Sequence, residues 1–227
     1  MKKSNMAIAA GLLLILAALA LVSFNLWDDH RAGAETQAVL QNILPEIETD
    51  PIPIEGRRRH RHTEEAAADV FGFDVFGLDG FGEDEIEYPD YVLDPNMDMP
   101  VQQIDGHNYI GVLSIPAIGR ELPIFDEWSY PNLKIAPCRY VGSAYLDNMV
   151  ICAHNYEKHF GLLKDLSYGD HLTFTDMDGN VFAYQVIEIE TLKPEAIEKM
   201  IRGDWDLTLF TCTKGGATRV TVRCERV

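Results

Sequence analysis

A chain of 227 residues has room for one catalytic domain of ordinary size plus attached segments. Its formal charge of -17 does not come from that domain: residues 63–105 alone hold thirteen acidic and no basic side chains, while residues 106–227 carry twelve basic and sixteen acidic ones. That slight negative balance lacks the basic footprint a nucleic-acid surface needs, so nucleic acid is excluded as a partner.

The first predicted element is a membrane helix. No charged residue occurs from Ser4 to Trp27, and Ala7 to Val22 is almost wholly Ala, Leu and Ile; about 20 such residues span the hydrocarbon layer. Lys2 and Lys3 precede it and Asp28 and Asp29 follow it. The positive-inside tendency then leaves residues 1–27 as a cytoplasmic tip and signal-anchor, with everything after them outside the cell membrane. The rival is a cleaved signal peptide ending at Ala32-Gly33-Ala34, whose apolar region would be shorter, about 7 to 15 residues.

Residues 28–103 read as an extracytoplasmic linker. A weak apolar stripe predicts a short helix over Glu35 to Ile54, ended by Pro51 and Pro53. Arg57 to His62 is a basic run, read as a solvated stretch or as a contact for anionic headgroups, wall polymers or the acidic run after it. Residues 69–84 repeat Phe-Gly and Asp in a low-complexity pattern. Four phenylalanines are unusual company for so much charge, which raises the alternative of a lid docked on the catalytic domain.

From about residue 104 to 227 the chain changes to short β-rich runs bounded by Gly, Pro, Asn and Asp, the pattern of an all-β sandwich or barrel. Strands are predicted over Tyr109–Ile115, Arg120–Phe125, Met149–Ala153, His171–Thr175, Val181–Glu190, Asp206–Thr211 and Arg219–Arg223, with short helices over Phe160–Leu166 and Pro194–Met200. Asp176 to Asn180 reads as a hairpin turn. A calcium loop would need Glu at its twelfth position, where Ile187 stands.

Two of these strands end in chemistry. Thr208-Leu209-Phe210-Thr211-Cys212 places a thiol at a strand end, with Arg219 seven residues on, and Met149 to Ala153 leads to His154. Nucleophile, proton-transfer group and fixed cation together make a kit for covalent catalysis. A thiol attacks only as thiolate, so a nearby cation or donor must assist it. By period-two alternation Arg219, Thr221 and Arg223 share a face; Arg223 reads as a surface charge. Cys138, Cys152 and Cys224 read as buried apolar residues, or as holding one disulfide among them.

Thr-Leu-x-Thr-Cys, then Arg, with an upstream His, resembles the signature of sortases, the membrane-anchored cysteine transpeptidases of Gram-positive cell surfaces. The resemblance covers the C-terminal half and implies a mainly β fold, a closed sortase-type β-barrel with short helices. It implies that Cys212 attacks an LPxTG-like sorting signal of a surface-protein or pilin substrate and forms a thioester. An amine acceptor, from a peptidoglycan precursor or a pilin lysine, then takes the acyl group. His154 would protonate the leaving amine and deprotonate the incoming one, Arg219 would donate to the developing oxyanion, and Thr211 would touch substrate. His159, five residues past His154, is the rival for the acid/base role, which the resemblance gives to His154.

No metal or organic cofactor is needed for that chemistry. Some pilin-polymerising sortases carry an Asp-Pro-aromatic lid motif; Asp94-Pro95 is similar to it, with Asn96 in place of the aromatic residue. The subclass, B-, C- or D-like, stays open. Two other readings are a different extracytoplasmic cysteine peptidase, and a non-enzymatic membrane-tethered module binding zinc through Cys138, Cys152, His154 and Cys224.

Overall fold

The computed structural model describes residues 2–47 and 88–227. The basic run at 57–62, the Phe-Gly segment at 69–84 and the prolines at 51 and 53 lie outside the described residues. Helices α1 (Lys2–Ile43), α2 (Asp90–Leu93), α3 (Tyr130–Leu133) and α4 (Ile197–Ile201) accompany nine strands: β1 (Gln102–Ile104), β2 (His107–Ile115), β3 (Arg120–Phe125), β4 (Cys138–Val141), β5 (Met149–Ala153), β6 (His171–Asp176), β7 (Val181–Leu192), β8 (Leu207–Cys212) and β9 (Arg219–Arg226).

The strands run in the order β1-β2-β3-β4-β5-β8-β9-β7-β6, and β6 pairs back onto β2, so β2 to β9 close into a barrel with β1 appended at its rim. Closure removes free edges. It depends on Gly111, which pairs with Ile124 on one side and Asp176 on the other, at a bulge in β2. Its φ is +150°, and an added Cβ would lie 2.1 Å from the Thr175 carbonyl oxygen. Gly111→Ala is therefore expected to destabilise the barrel by about 1–3 kcal/mol, seen as a lower thermal midpoint with the secondary structure retained.

Alternation along each strand separates two faces. Ile110, Leu113, Ile151, Phe174, Phe182, Leu209 and Val222 fill the barrel interior. Tyr109, Val112, Phe125, Cys138 and Cys152 form a second cluster outside it, and α1 covers that cluster.

Helix α1 differs most from expectation. It runs unbroken for 42 residues, roughly 63 Å, and stops at Ile43, ahead of Pro45, instead of restarting as a separate helix over residues 35–54. The large apolar side chains from Met6 to Trp27 are exposed and none packs on the barrel, and this is the one helix among the described residues long and apolar enough to cross a membrane. The second half is amphipathic: Ala32, Thr36, Val39, Leu40 and Ile43 are buried at helical spacing. Because that stripe includes Ala and Thr, its hydropathy signal is weak. Burial of Val39, Leu40 and Ile43 is worth about 1.5–3 kcal/mol each, and it seats α1 against β3 and β1. The small residues Ala32-Gly33-Ala34 lie within this helix; Ala32 is fully buried, and a Cβ on Gly33 would sit 2.7 Å from Cγ of Lys158.

Smaller differences follow from context. The helix expected over residues 160–166 is a 3-10 turn at Leu163–Asp165. At the other end of residues 48–87, Tyr91 of α2 stacks on Tyr145, with ring centroids 4.6 Å apart. The turn at 176–180 is a hairpin whose Asp176 carboxylate accepts from the Asp178 and Asn180 backbone, the Asn180 amide and the Tyr145 hydroxyl.

Candidate active site

The site forms on the outer face of three adjacent strands. In the parallel pair β5–β8, Ala153 lies opposite Thr211, so the next residues, His154 and Cys212, leave the two strands side by side. In the antiparallel pair β8–β9, Cys212 is the register partner of Arg219. Interior residues Ile151, Ala153, Leu207, Leu209 and Val222 alternate with outward Cys152, His154, Phe210, Cys212 and Arg219. All three expected catalytic side chains therefore line one cleft of about 250 Å³.

The loop between Cys212 and Arg219 is tied to itself. The Thr213 amide donates to the Thr218 carbonyl at 2.9 Å, and the Thr218 amide donates to the Thr213 hydroxyl at 3.1 Å. Nη1 of Arg219 donates to the carbonyls of Gly216 and Thr218 at 3.0 and 3.1 Å, which fixes the guanidinium beside the strand end. Thr211, expected to touch substrate, also lines the cleft; it is largely buried, and its hydroxyl donates to the Ala153 carbonyl at 2.8 Å. It ties β8 to β5 immediately before His154.

Of the four cysteines, Cys212 alone is partly exposed, and none is disulfide-bonded. Burial pushes the Cys152 thiol up to about 12 and raises those of Cys138 and Cys224 further, so these three remain neutral thiols. The three cysteines and His154 form no metal-binding group, and among the described residues no such cluster of His, Cys, Asp and Glu occurs.

The histidines separate by burial. His159 is fully buried, its Nε2 lies 3.1 Å from the Thr36 hydroxyl of α1, and desolvation lowers its pKa to about 4. It is a neutral packing residue between helix and barrel and has no access to the cleft. His154 is half-buried; desolvation lowers its pKa, the Asp28 carboxylate opposes that shift, and Lys134 adds to it.

Arg223 corrects the expectation of a surface charge. It does share the outer face with Arg219, but it is only 1% exposed because α4 lies over it. Its guanidinium donates to Glu190 at 3.0 Å, to the Thr208 hydroxyl at 2.9 Å and to the carbonyls of Lys199 and Met200. The signature threonine Thr208 thus holds Arg223, and Arg223 holds the last turn of α4.

That placement explains cleft residues the sequence reasoning missed. Ile197 and Met200 of α4 form one wall, and Trp128, Tyr130 and Tyr140 form another. Ring centroids of Tyr140 and Phe210 are 5.5 Å apart, edge to face. Phe210 was legible, since it stands two residues before Cys212 on a strand and must share its face. The loop-borne Trp128 and Tyr130 gave no such signal. None of residues 88–104 is among those that line the cleft, and the Asp94 carboxylate accepts from the Asn96 backbone amide.

Residues 113–227 match the family model described as Sortase domain. Comparison with curated protein sequences gives no match. Solved structures similar to the chain include sortase C1 of GBS pilus island 1, with 27% identity over 52% of this chain and 64% of that one and a TM-score of 0.47. Streptococcus pneumoniae sortase C has 30% identity, coverage of 52% and 68%, and a TM-score of 0.47. Sortase C from Clostridium perfringens SM101 has 27% identity, coverage of 62% and 76%, and a TM-score of 0.46. The chain thus spans 64% of the length of the first of these relatives.

Proposed function

Since the chain belongs to the sortase family, we propose that it is a cysteine transpeptidase in which Cys212 is the nucleophile, His154 the proton-transfer group and Arg219 the oxyanion donor. The observation that carries the reading is the arrangement of the three on one cleft wall, with Cys212 and Arg219 in direct cross-strand register and His154 on the neighbouring strand end.

The Cys212 thiol passes its proton to His154 and attacks the scissile carbonyl of an LPxTG-like peptide. Charge builds on the carbonyl oxygen, where the Arg219 guanidinium donates to it; as the tetrahedral species collapses to a thioester, His154 gives its proton to the departing amine. An incoming amine then loses a proton to His154 and attacks the thioester, and His154 returns that proton to the departing Cys212 thiolate. A neutral imidazole suits the second step, and burial keeps His154 poised toward that form. The cleft walls of Trp128, Tyr130, Tyr140 and Met200 offer apolar surface for the substrate's Leu and Pro.

Residues 1–27 serve as the anchor with the N-terminus in the cytoplasm, residues 104–227 as the extracellular catalytic barrel, and residues 28–103 connect them. Partners are surface-protein or pilin substrates with a C-terminal sorting signal and an amine acceptor.

The test is intact-mass analysis of the protein incubated with a panel of LPxTG-like peptides and a glycine or lysine amine. An acyl adduct on Cys212 and an amine-exchanged peptide are expected; exchange of peptide without any dependence on Cys212 would sink the reading. In the same assay Arg219→Lys is expected to lower turnover by about 10²-fold, because a point charge does not replace a two-pronged donor at the oxyanion.

A further inference from the structure

Asp28 is the first residue of α1 past the apolar stretch that ends at Trp27, and it is where the helix first meets the barrel. Its Oδ2 accepts from the Tyr156 hydroxyl at 2.5 Å, while its Oδ1 accepts from Nη2 of Arg31 at 2.9 Å. Tyr156 stands between two histidines: its ring centroid is 5.0 Å from that of His154, tilted by 45°, and 5.3 Å from that of His159, edge-on. On the far side His159 is fixed to α1 through Thr36, whose hydroxyl donates to the Ile135 carbonyl at 2.9 Å. The ring against which His154 packs is thus clamped at its hydroxyl by one turn of α1, and its neighbour His159 is held by a later turn of the same helix. Nothing in the catalytic scheme above uses this clamp.

We propose that Asp28, acting through the Tyr156 hydroxyl, is a positioning residue for the His154 imidazole, so that the membrane anchor itself completes the active site. The inference rests on the role given to His154 above. Two physical effects follow from the contacts. Tyr156 is held in one orientation by a charge-assisted hydrogen bond, the stronger kind, and so limits the tilt of the imidazole packed on it. The Asp28 carboxylate also raises the proton affinity of His154 against the effect of burial. Tyr156 itself stays protonated, its pKa pushed up to about 12 by burial and by Asp28, so the hydroxyl remains the donor. The groups facing His154 are Asp28 from α1, Lys134 after α3, Tyr156 and His159 in its own loop, Cys212 at the end of β8 and Arg219 at the start of β9. Among these, Asp28 is the anion identified as acting on His154, and it belongs to the helix that carries the anchor.

The experiment uses the full-length chain in detergent micelles, an LPxTG-like peptide and a glycine amine. Asp28→Asn, Tyr156→Phe and their combination are compared with Glu46→Gln, an exposed change beyond the end of α1. Each of the first two is expected to lower kcat about tenfold with KM within about twofold, since a misplaced catalytic group costs rate before it costs binding. The combination should be no worse than either alone, because both break one link. In 15N spectra of the histidine rings, Asp28→Asn should move the His154 titration to lower pH, a readout independent of turnover. Tyr156→Phe keeps the ring and its packing, so it separates lost alignment from a loosened helix. Unchanged kcat and unchanged His154 signals in both variants, with His154→Ala inactive, overturn this inference alone. An active His154→Ala overturns the catalytic reading beneath it.

Discussion

Replacement of Cys212 by alanine is expected to abolish acyl-adduct formation, with a thermal midpoint within about 2 °C of the parent protein. The asymmetry has a structural cause. Sγ of Cys212 lies on the outward face of β8, partly exposed at the mouth of the cleft, so its loss leaves no interior cavity. The strand end is held by the Thr211 hydroxyl on Ala153 and by the Thr213–Thr218 bonds, none of which involves the thiol. Alkylation should report the same distinction: iodoacetamide should modify Cys212 in the folded protein and spare Cys138, Cys152 and Cys224, which are buried and held as neutral thiols. A second modified cysteine, or an adduct that survives Cys212→Ala, would contradict the assignment.

Arg223→Ala is expected to cost about 3–5 kcal/mol of stability, because breaking a buried ion pair leaves its remaining groups without compensation. The Arg223 guanidinium is 1% exposed and serves Glu190, Thr208 and two carbonyls at the end of α4 at once. A cation at that end also complements the helix carbonyls. Without it α4 loses its tie to β8 and β9, and the wall formed by Ile197 and Met200 loosens. Thermal denaturation should show the midpoint falling by about 10 °C or more, and peptide KM should rise in the fraction that remains folded. Arg223→Lys should recover little, since one ammonium cannot span four acceptors arranged around a planar fork. A midpoint unchanged in Arg223→Ala would show that α4 is held by its apolar contacts alone.

Much of the barrel was legible because its strands are short, β-branched and bounded by turn residues: β3 and β5 have the expected limits, and β7, β8 and β9 differ by a few residues at their ends. β1 and β4 were missed. Each is three or four residues long, and along Cys138-Arg139-Tyr140-Val141 exposure rises from a buried Cys138 to an exposed Val141 instead of alternating. The meeting of Cys212, His154 and Arg219 followed from strand ends, yet the sharing of one face by Arg219 and Arg223 did not reveal their different surroundings. That difference depends on α4, a cover supplied by residues in another part of the chain. The same limit applies to His159 and Thr36. Nothing in either local sequence says that the two are neighbours 123 positions apart.

The docked half of α1 fixes the apolar stretch before it to the barrel. Ile47 is buried in the outer cluster of the barrel, and Tyr91, soon after the chain is described again, is stacked into its core. The described residues on either side of 48–87 are therefore held by the same body. If residues 1–27 anchor the chain as proposed, the helix that holds Asp28 against Tyr156 also sets the distance of Cys212 from the lipid. Inserting a single residue between Trp27 and Asp28 is expected to turn the apolar stretch by about 100° relative to the barrel.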